Sequence, residues 1–320
     1  MKEIGGYFGL ELHKGREYYP DAIKLNSGRN CFKYILLAQK PSKIYFPYYI
    51  HKSMMEPIQN LDTNFEYYNI DEKFEIANDI HVGKDEKILY NNYFALKNDY
   101  ILKLVNIYGD KLIVDNTQAF FCKPVPGIDT LYSLGSKFFG MPGGGYLFTK
   151  IFLDDRFEQD VSYAGMTHLL GRIDRTAYEF FEHFQESQKR RCNQKIRIMS
   201  NLTQAIASSI DYETVKMIRE RNFYYLHSYL KDINELSLDI SLIEGPMVYP
   251  LLIKRDGLRQ RLIENKIYVP LYWKEVLDLK GVTEEERYIV NYLLPLSIDQ
   301  RYEIADMKII ADFIKKDIHL

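Results

Sequence analysis

The spacing of hydrophobic positions switches repeatedly along the chain between short β-like runs and longer helical ones. KIYFPYYI (43–50), NFEYYNI (64–70), KILYNNYFA (87–95), KLIVDN (111–116), DTLYSL (129–134) and GGYLFTK (144–150) read as strands. Between several of them lie helical patterns, CFKYILLAQ (31–39) and ALKNDYILKLVNIYG (95–109), the latter with apolar residues at helical spacing. This alternation predicts an α/β fold whose mainly parallel sheet is covered on both faces. Beyond about residue 160 the texture changes. Residues 176–210 and 211–236 read as long amphipathic helices, followed by short strands at MVYPLLI (247–253) and KIYVPLY (266–272) and a final helix near 305–316. The expected layout is a large α/β domain over residues 1–195 and a smaller α+β domain over 196–320. No internal repeat or low-complexity segment interrupts it.

Composition narrows the partners. A chain of 320 residues with 46% hydrophobic content can bury a sizeable core. Its net charge of −2, with acids and bases intermixed, offers no long-range attraction to nucleic acid or an anionic membrane. Cys31, Cys122 and Cys192 are too few and too irregularly spaced for a disulfide framework or a zinc site. Charges interrupt the N-terminal stretch, and no run approaches the roughly eighteen apolar residues of a membrane span. A cytoplasmic protein without bound metal is expected. The sequence has no G-x-x-x-x-G-K-[ST] loop, no G-x-G-x-x-G after the first strand and no H-E-x-x-H. The basic run KRR (189–191) lies in a helical pattern and reads as a solvated or subunit-facing surface.

Three stretches carry candidate chemistry. In LNSGRNCFKYILL a turn of small residues enters a helix, so Ser27, Gly28, Arg29 and Asn30 sit where free N–H groups and the helix dipole can hold a phosphate, or where Ser27 simply caps the helix. LIVDNTQAFF ends an apolar run in Asp115, a position typical of a functional group at a strand's C-terminal end, or of a turn cap. LYSLGSKFFGMPGGGYLF sets Lys137 between two apolar flanks before three glycines. Burial among such flanks favours a neutral, reactive amine.

In order and spacing these stretches resemble the DegT/DnrJ/EryC1/StrS family of aminotransferase-like proteins, among the fold-type I pyridoxal-phosphate enzymes. NSGRNCF is similar to the family's S-G-[TR]-x-A-[LF] phosphate turn, VDNTQAFF to its [ED]-D-x-[AT]-Q-A segment, and YSLGSKFFGMPGGGYLF to its S-x-H-x-x-K followed by Gly-Gly. RIMSNLTQAI is similar to its R-M-S-E-L-Q-A-A segment. The resemblance implies a three-layer αβα large domain binding pyridoxal 5′-phosphate, with Lys137 as the cofactor-linked lysine and Asp115 paired with the pyridine nitrogen. It further implies phosphate contacts from Gly28, Arg29, Asn30 and Ser133 or Ser136, and a contact from Gln118 to the ring oxygen or phosphate edge. The ring-stacking position falls near His51, with Tyr49 as the alternative. The family's histidine between serine and lysine is absent, the spacing is one residue shorter, and an apolar residue replaces the asparagine that a neighbouring subunit commonly supplies, leaving Arg197 or Asn201 for that role. The activity that the resemblance implies is that of a homodimeric aminotransferase moving an amino group from a glutamate-like donor to a keto-sugar nucleotide in surface-polysaccharide or related biosynthesis. Trp273 and Arg301 are the expected substrate contacts, the alternatives being a core residue and an ion pair with Asp299. Sugar dehydration, an amino-acid reaction on the same fold, and a degenerate sugar-nucleotide-binding scaffold are the competing functions.

Overall fold

The computed structural model describes residues 4–318 other than Ser136. A short strand, Ile23–Leu25 (β1), leads into Gly28–Gln39 (α1), whose start is fixed by Ser27. Ser27 is extended at φ −164°, and its Oγ accepts the Asn30 N–H at 3.2 Å, one of the donors that a helix start leaves without an intrahelical partner. Left-handed Lys40 (φ 46°) ends the helix and Pro41 follows. Next come Lys43–Pro47 (β2), Met55–Asn60 (α2), Phe65–Tyr68 (β3), Glu86–Asn91 (β4), Asn98–Tyr108 (α3), Leu112–Asp115 (β5), Asp129–Ser133 (β6) and Gly145–Phe148 (β7).

These strands form one seven-stranded sheet in the order β1-β7-β6-β5-β4-β2-β3. Strands β3, β2, β4, β5 and β6 pair in parallel, while β7 runs antiparallel to both β6 and β1. Side chains alternate between two apolar layers. Ile88, Tyr90, Leu112, Val114 and Tyr132 face one core with Ile101 and Leu104 of α3. Leu89, Ile113 and Leu131 face the other with Phe32, Ile35 and Leu36 of α1. Burial on both faces is why these strands read as nearly continuous apolar runs.

The remaining elements are Thr167–Asp174 (α4), Phe181–Arg190 (α5), Asn201–Ser208 (α6), Tyr212–Leu230 (α7), Val248–Leu252 (β8), Leu258–Glu264 (α8), Glu284–Tyr292 (α9), Leu293–Ser297 (β9) and Ile304–Ile318 (α10). Strands β8 and β9 pair antiparallel over a third core that includes Phe223, Leu226, Leu296 and Met307. The structure corrects two expectations. The stretch 266–272, expected as a strand, forms none, and β8 pairs with β9 instead: left-handed Lys266 (φ 63°) turns the chain out of α8, and the Arg259 Nε–H holds the Val269 carbonyl at 3.0 Å. The helical pattern over 176–210 is also interrupted, because Asn193 is left-handed (φ 52°) and the segment around it is bonded to the start of α1.

Candidate active site

Strands β4, β5 and β6 end side by side, with Asn91 in register with Asp115 and Asp115 with Leu131. A cleft opens at this carboxyl edge, the usual ligand position in a parallel sheet. Its volume is about 860 Å³, counting the part open to solvent. Gly28, Arg29, His51, Asp115, Gln118, Ser133, Lys137 and Trp273, eight residues anticipated from sequence, all line it.

Lys137 follows β6 and is half-buried. Desolvation holds its amine below the usual lysine range, opposed by the Asp115 carboxylate. Asp115 is 3% exposed, and its Oδ1 accepts the Thr117 N–H at 2.8 Å. Burial pushes its carboxyl up, while the Thr117 hydrogen bonds and Lys137 pull it down. Each group thus favours the charged form of the other.

Gln118 is held from behind. Its Oε1 accepts the Phe94 N–H at 3.0 Å, and Phe94 and Ala95 are left-handed at φ 59° and 67°, conformations that cost on the order of 1–3 kcal/mol each outside glycine. The other end of the amide, Nε2, is buried without a hydrogen-bond partner, as is Oδ1 of Asn91. A donor and an acceptor left in this state beside a cleft call for a polar ligand.

The anion-binding end is built by close approach of backbones. The N–H groups of Gly28 and Arg29 open α1 and have no intrahelical acceptor. A Cβ on Gly28 would meet Ser133 Cβ at 3.1 Å, and one on Gly145 would sit 2.7 Å from the Gly28 nitrogen. Glycine at both positions therefore lets α1 reach the ends of β6 and β7. Asn30 serves the turn from behind: its Nδ2 donates to Asn26 Oδ1 at 2.8 Å and to the Lys195 carbonyl at 2.9 Å. Arg29 pairs with Glu56 at 2.6 Å. Ser136 lies outside the described residues.

The aromatic wall combines His51 and Trp273, whose ring centroids are 6.3 Å apart. His51 accepts the Ser53 N–H through Nδ1 at 3.1 Å, and desolvation followed by the nearby Lys137 lowers its pKa to about 4. Tyr49, the alternative stacking residue, is fully buried behind Trp273, donating to the Tyr272 carbonyl at 3.0 Å. Trp273 is 5% exposed, with Lys137 Nζ 5.9 Å from its ring centroid. Arg301 does not line the cleft and forms a two-pronged pair with Asp299 at 2.7 and 2.8 Å. Arg197 approaches Asp160 at 3.5 Å.

Sequence reasoning missed four contributors. Asn91 carried no pattern beyond its strand. Gln188 and Arg191 line the cleft although the KRR run reads as surface; Lys189 and Arg190 are indeed exposed, while Arg191, one position past α5, turns inward. Arg219 of α7 is 1% exposed and donates to the carbonyls of Phe138 at 3.2 Å and Lys137 at 3.5 Å. An arginine at a buried helical position, among Val215, Phe223 and Leu226, was the available signal.

No family model and no curated protein sequence matches the chain. Solved structures do. A DegT DnrJ EryC1 StrS aminotransferase from Brucella abortus superposes with TM-score 0.62 at 16% identity, covering 92% of this chain and 85% of that one. A sugar aminotransferase from Micromonospora echinospora gives 0.62 at 12% identity, over 93% and 87% of the two chains. The E. coli GDP-4-keto-6-deoxy-D-mannose-3-dehydratase with bound hydrated PLP gives 0.62 at 15% identity, over 91% and 87%. At such identities the likeness is one of fold, and the fold is that of the fold-type I transferases.

Proposed function

We propose that the chain is a pyridoxal-phosphate-dependent aminotransferase acting on a keto-sugar nucleotide with a glutamate-like amino donor, working as a cytoplasmic homodimer in surface-polysaccharide or related biosynthesis. The observation that carries this reading is one cleft holding a desolvated lysine amine, a buried carboxyl with no ion-pair partner within 4 Å among the described residues, and a helix N-terminus. The orphaned Gln118 and Asn91 atoms and the glycine-lined cradle at Gly28 and Gly145 fit a flat polar ring bearing a phosphate. The similar structures, a sugar aminotransferase and a PLP-bound sugar dehydratase among them, support the same substrate class.

When bound, pyridoxal phosphate supplies an electron sink for a carbanion and a carbonyl that exchanges amines. The protein's own groups have separate tasks. Lys137, kept toward its neutral form by desolvation, is the nucleophile and then the base that moves a proton to and from the substrate carbon. The Asp115 carboxylate would stabilise a positive charge on the ring nitrogen by a charge-assisted hydrogen bond. Gln118 Nε2 would donate to the ring oxygen or phosphate edge. The α1 turn with Ser133 would hold the phosphate, and Trp273 with His51 would orient the ring face. In this reading residues 1–195 form the cofactor-binding domain and 196–320 the smaller one, and Arg301 stays an ion-pair residue unless substrate displaces Asp299. The side chains of Phe152, Tyr163, Ile173 and Tyr178 are exposed apolar groups that a second copy would cover in this reading. No described helix is long and apolar enough to cross a membrane.

The test is a titration of the purified protein with pyridoxal phosphate followed by visible absorbance, then addition of glutamate and a panel of keto-sugar nucleotides with detection of the aminated sugar. Absence of any lysine-dependent visible band refutes cofactor chemistry. A band discharged by amino acids alone, with no sugar nucleotide accepted, refutes the substrate class.

A further inference from the structure

Arg191 has the properties of a cation waiting for an anion. It lines the cleft beside Gly135 and Ser133, and a Cβ on Gly135 would come within 3.2 Å of its Nη1. One Nη2 contact, to the Met141 carbonyl at 3.3 Å, is the only hydrogen bond of its side chain among the described residues, and its Nε is buried with no acceptor. None of the described ion pairs includes it. The other arginine of the cleft is different: Arg29 is neutralised by Glu56 at 2.6 Å. Gln188, three residues before Arg191, also lines the cleft and also has a buried Nε2 without an acceptor. The same cleft holds the orphaned Nε2 of Gln118, a residue 1% exposed.

The position of Arg191 is fixed, because the segment that follows it is bonded onto the first turns of α1 and α2. The Asn193 N–H donates to Glu56 Oε1 at 2.7 Å, Asn26 Nδ2 to Gln194 Oε1 at 3.2 Å, and Asn30 Nδ2 to the Lys195 carbonyl at 2.9 Å. Glu56 thus joins Arg29 to the Arg191 segment while leaving the Arg191 guanidinium uncompensated. A planar guanidinium lining the same cleft as the free N–H groups of α1 suits a phosphate, which can accept from both.

We propose that Arg191, together with Gln188, forms the cationic side of a phosphate-monoester site completed by the N-terminal turn of α1, so that one chain supplies both halves. The proposal rests on the cofactor reading and assigns this site to the cofactor's phosphate. It replaces Arg197 and Asn201 as the expected polar groups at that end. Desolvation, with the charge of Arg29, lowers the Arg191 pKa to about 10, in keeping with a buried cation lacking its anion.

The experiment compares wild type, Arg191→Met and Arg191→Lys for binding of pyridoxal phosphate, pyridoxal and inorganic phosphate, using intrinsic fluorescence for the first two and thermal shift for the third. Arg191→Met should weaken pyridoxal phosphate about tenfold to a hundredfold while pyridoxal changes by less than about twofold, and it should abolish the phosphate-induced rise in melting temperature. Arg191→Lys should recover part of both. Equal losses for pyridoxal and pyridoxal phosphate, or no loss for either, overturn the proposal. If the wild type binds neither pyridine compound, the cofactor reading fails and the assignment of the site to a cofactor fails with it. The inorganic-phosphate arm still decides separately whether Arg191 holds a phosphate. Gln188→Leu carries the same three comparisons should Arg191→Met not fold.

Discussion

Arg219 joins the backbone of Lys137 to the C-terminal sheet, and removing it should be costly in two separable ways. Its Nη1 donates to the carbonyls of Pro246 at 3.2 Å and Met247 at 3.1 Å, its Nη2 to those of Phe138 and Lys137, and its Nε to Gln300 Oε1 at 3.1 Å. Gln300 in turn donates to the Phe138 carbonyl at 2.7 Å, and the guanidinium carbon lies 4.6 Å from the Phe138 ring centroid. No described ion pair includes this buried cation. In Arg219→Met the Phe138 carbonyl keeps Gln300, but those of Pro246 and Met247 lose their guanidinium donor, each at about 1–3 kcal/mol. Relief from burying the guanidinium offsets part of this sum of about 2–6 kcal/mol, so a net loss of about 1–3 kcal/mol is expected. Arg219→Lys should recover less than half, since an ammonium has three donors on one point and cannot span acceptors on both sides.

Urea denaturation measures the first effect. The second is specific to a positioning role: with its carbonyl released, Lys137 should lose its fixed approach to the cleft, and the pH dependence of the visible absorbance of lysine-bound cofactor should shift and broaden. A stability change under about 1 kcal/mol would refute the hydrogen-bond accounting. A full loss of stability with an unaltered absorbance pH profile would leave Arg219 a purely structural residue.

The same geometry sets three further outcomes. Lys137→Ala should abolish turnover and remove the visible band of lysine-bound cofactor while the protein still folds; an unchanged spectrum would exclude the lysine from the chemistry. Gly145→Ala would place a Cβ 2.7 Å from the Gly28 nitrogen, so it should cost about 1–3 kcal/mol and weaken pyridoxal-phosphate binding through the displaced turn, as melting and titration would measure; unchanged values in both would mean that the turn has slack. Asp115→Asn should lower turnover by orders of magnitude. Because the folded Asp115 carboxyl titrates above its unfolded value, its contribution is fully present below the unfolded pKa and is lost as pH rises through the folded one. The cofactor-free variant should therefore gain stability relative to wild type between acid and neutral pH, and a melting-temperature difference that moves the other way would refute this.

The sheet was legible because its central strands are buried on both faces, and all six anticipated runs contain a strand. Strand β1 escaped notice because three residues are too few for any period to register. The second C-terminal strand was misplaced because 266–272 and 293–297 both carry apolar runs, and only tertiary packing chooses between them. The cleft lining was legible where polar groups sit at strand ends and a helix start, as with Asp115, Lys137 and Gly28. It was illegible where the lining depends on which way a helix terminus unwinds. Lys189, Arg190 and Arg191 are adjacent basic residues, and a left-handed Asn193 with its hydrogen-bonded neighbours sends one of them into the cleft.

The balance between Asp115 and Lys137 has a consequence for what the cleft is built to hold. On stability grounds alone a carboxyl at the end of β5 is a poor choice: it is buried, forms no ion pair within 4 Å among the described residues, and receives its hydrogen bond from Thr117, which an asparagine oxygen could accept equally well. A half-buried lysine is similarly unfavourable, since desolvation works against its charge as it does against the carboxylate's. Collapsing the two into a contact pair would relieve both, yet they face the same cleft and act on each other only at longer range. The space between them is therefore suited to a group that presents a positive edge to Asp115 and an electrophilic carbon to a neutral Lys137, with an anion reaching α1. A pyridinium ring bearing a carbonyl and a phosphate meets all three demands, whereas a simple sugar nucleotide lacks the cationic edge and an amino acid lacks the electrophilic carbon.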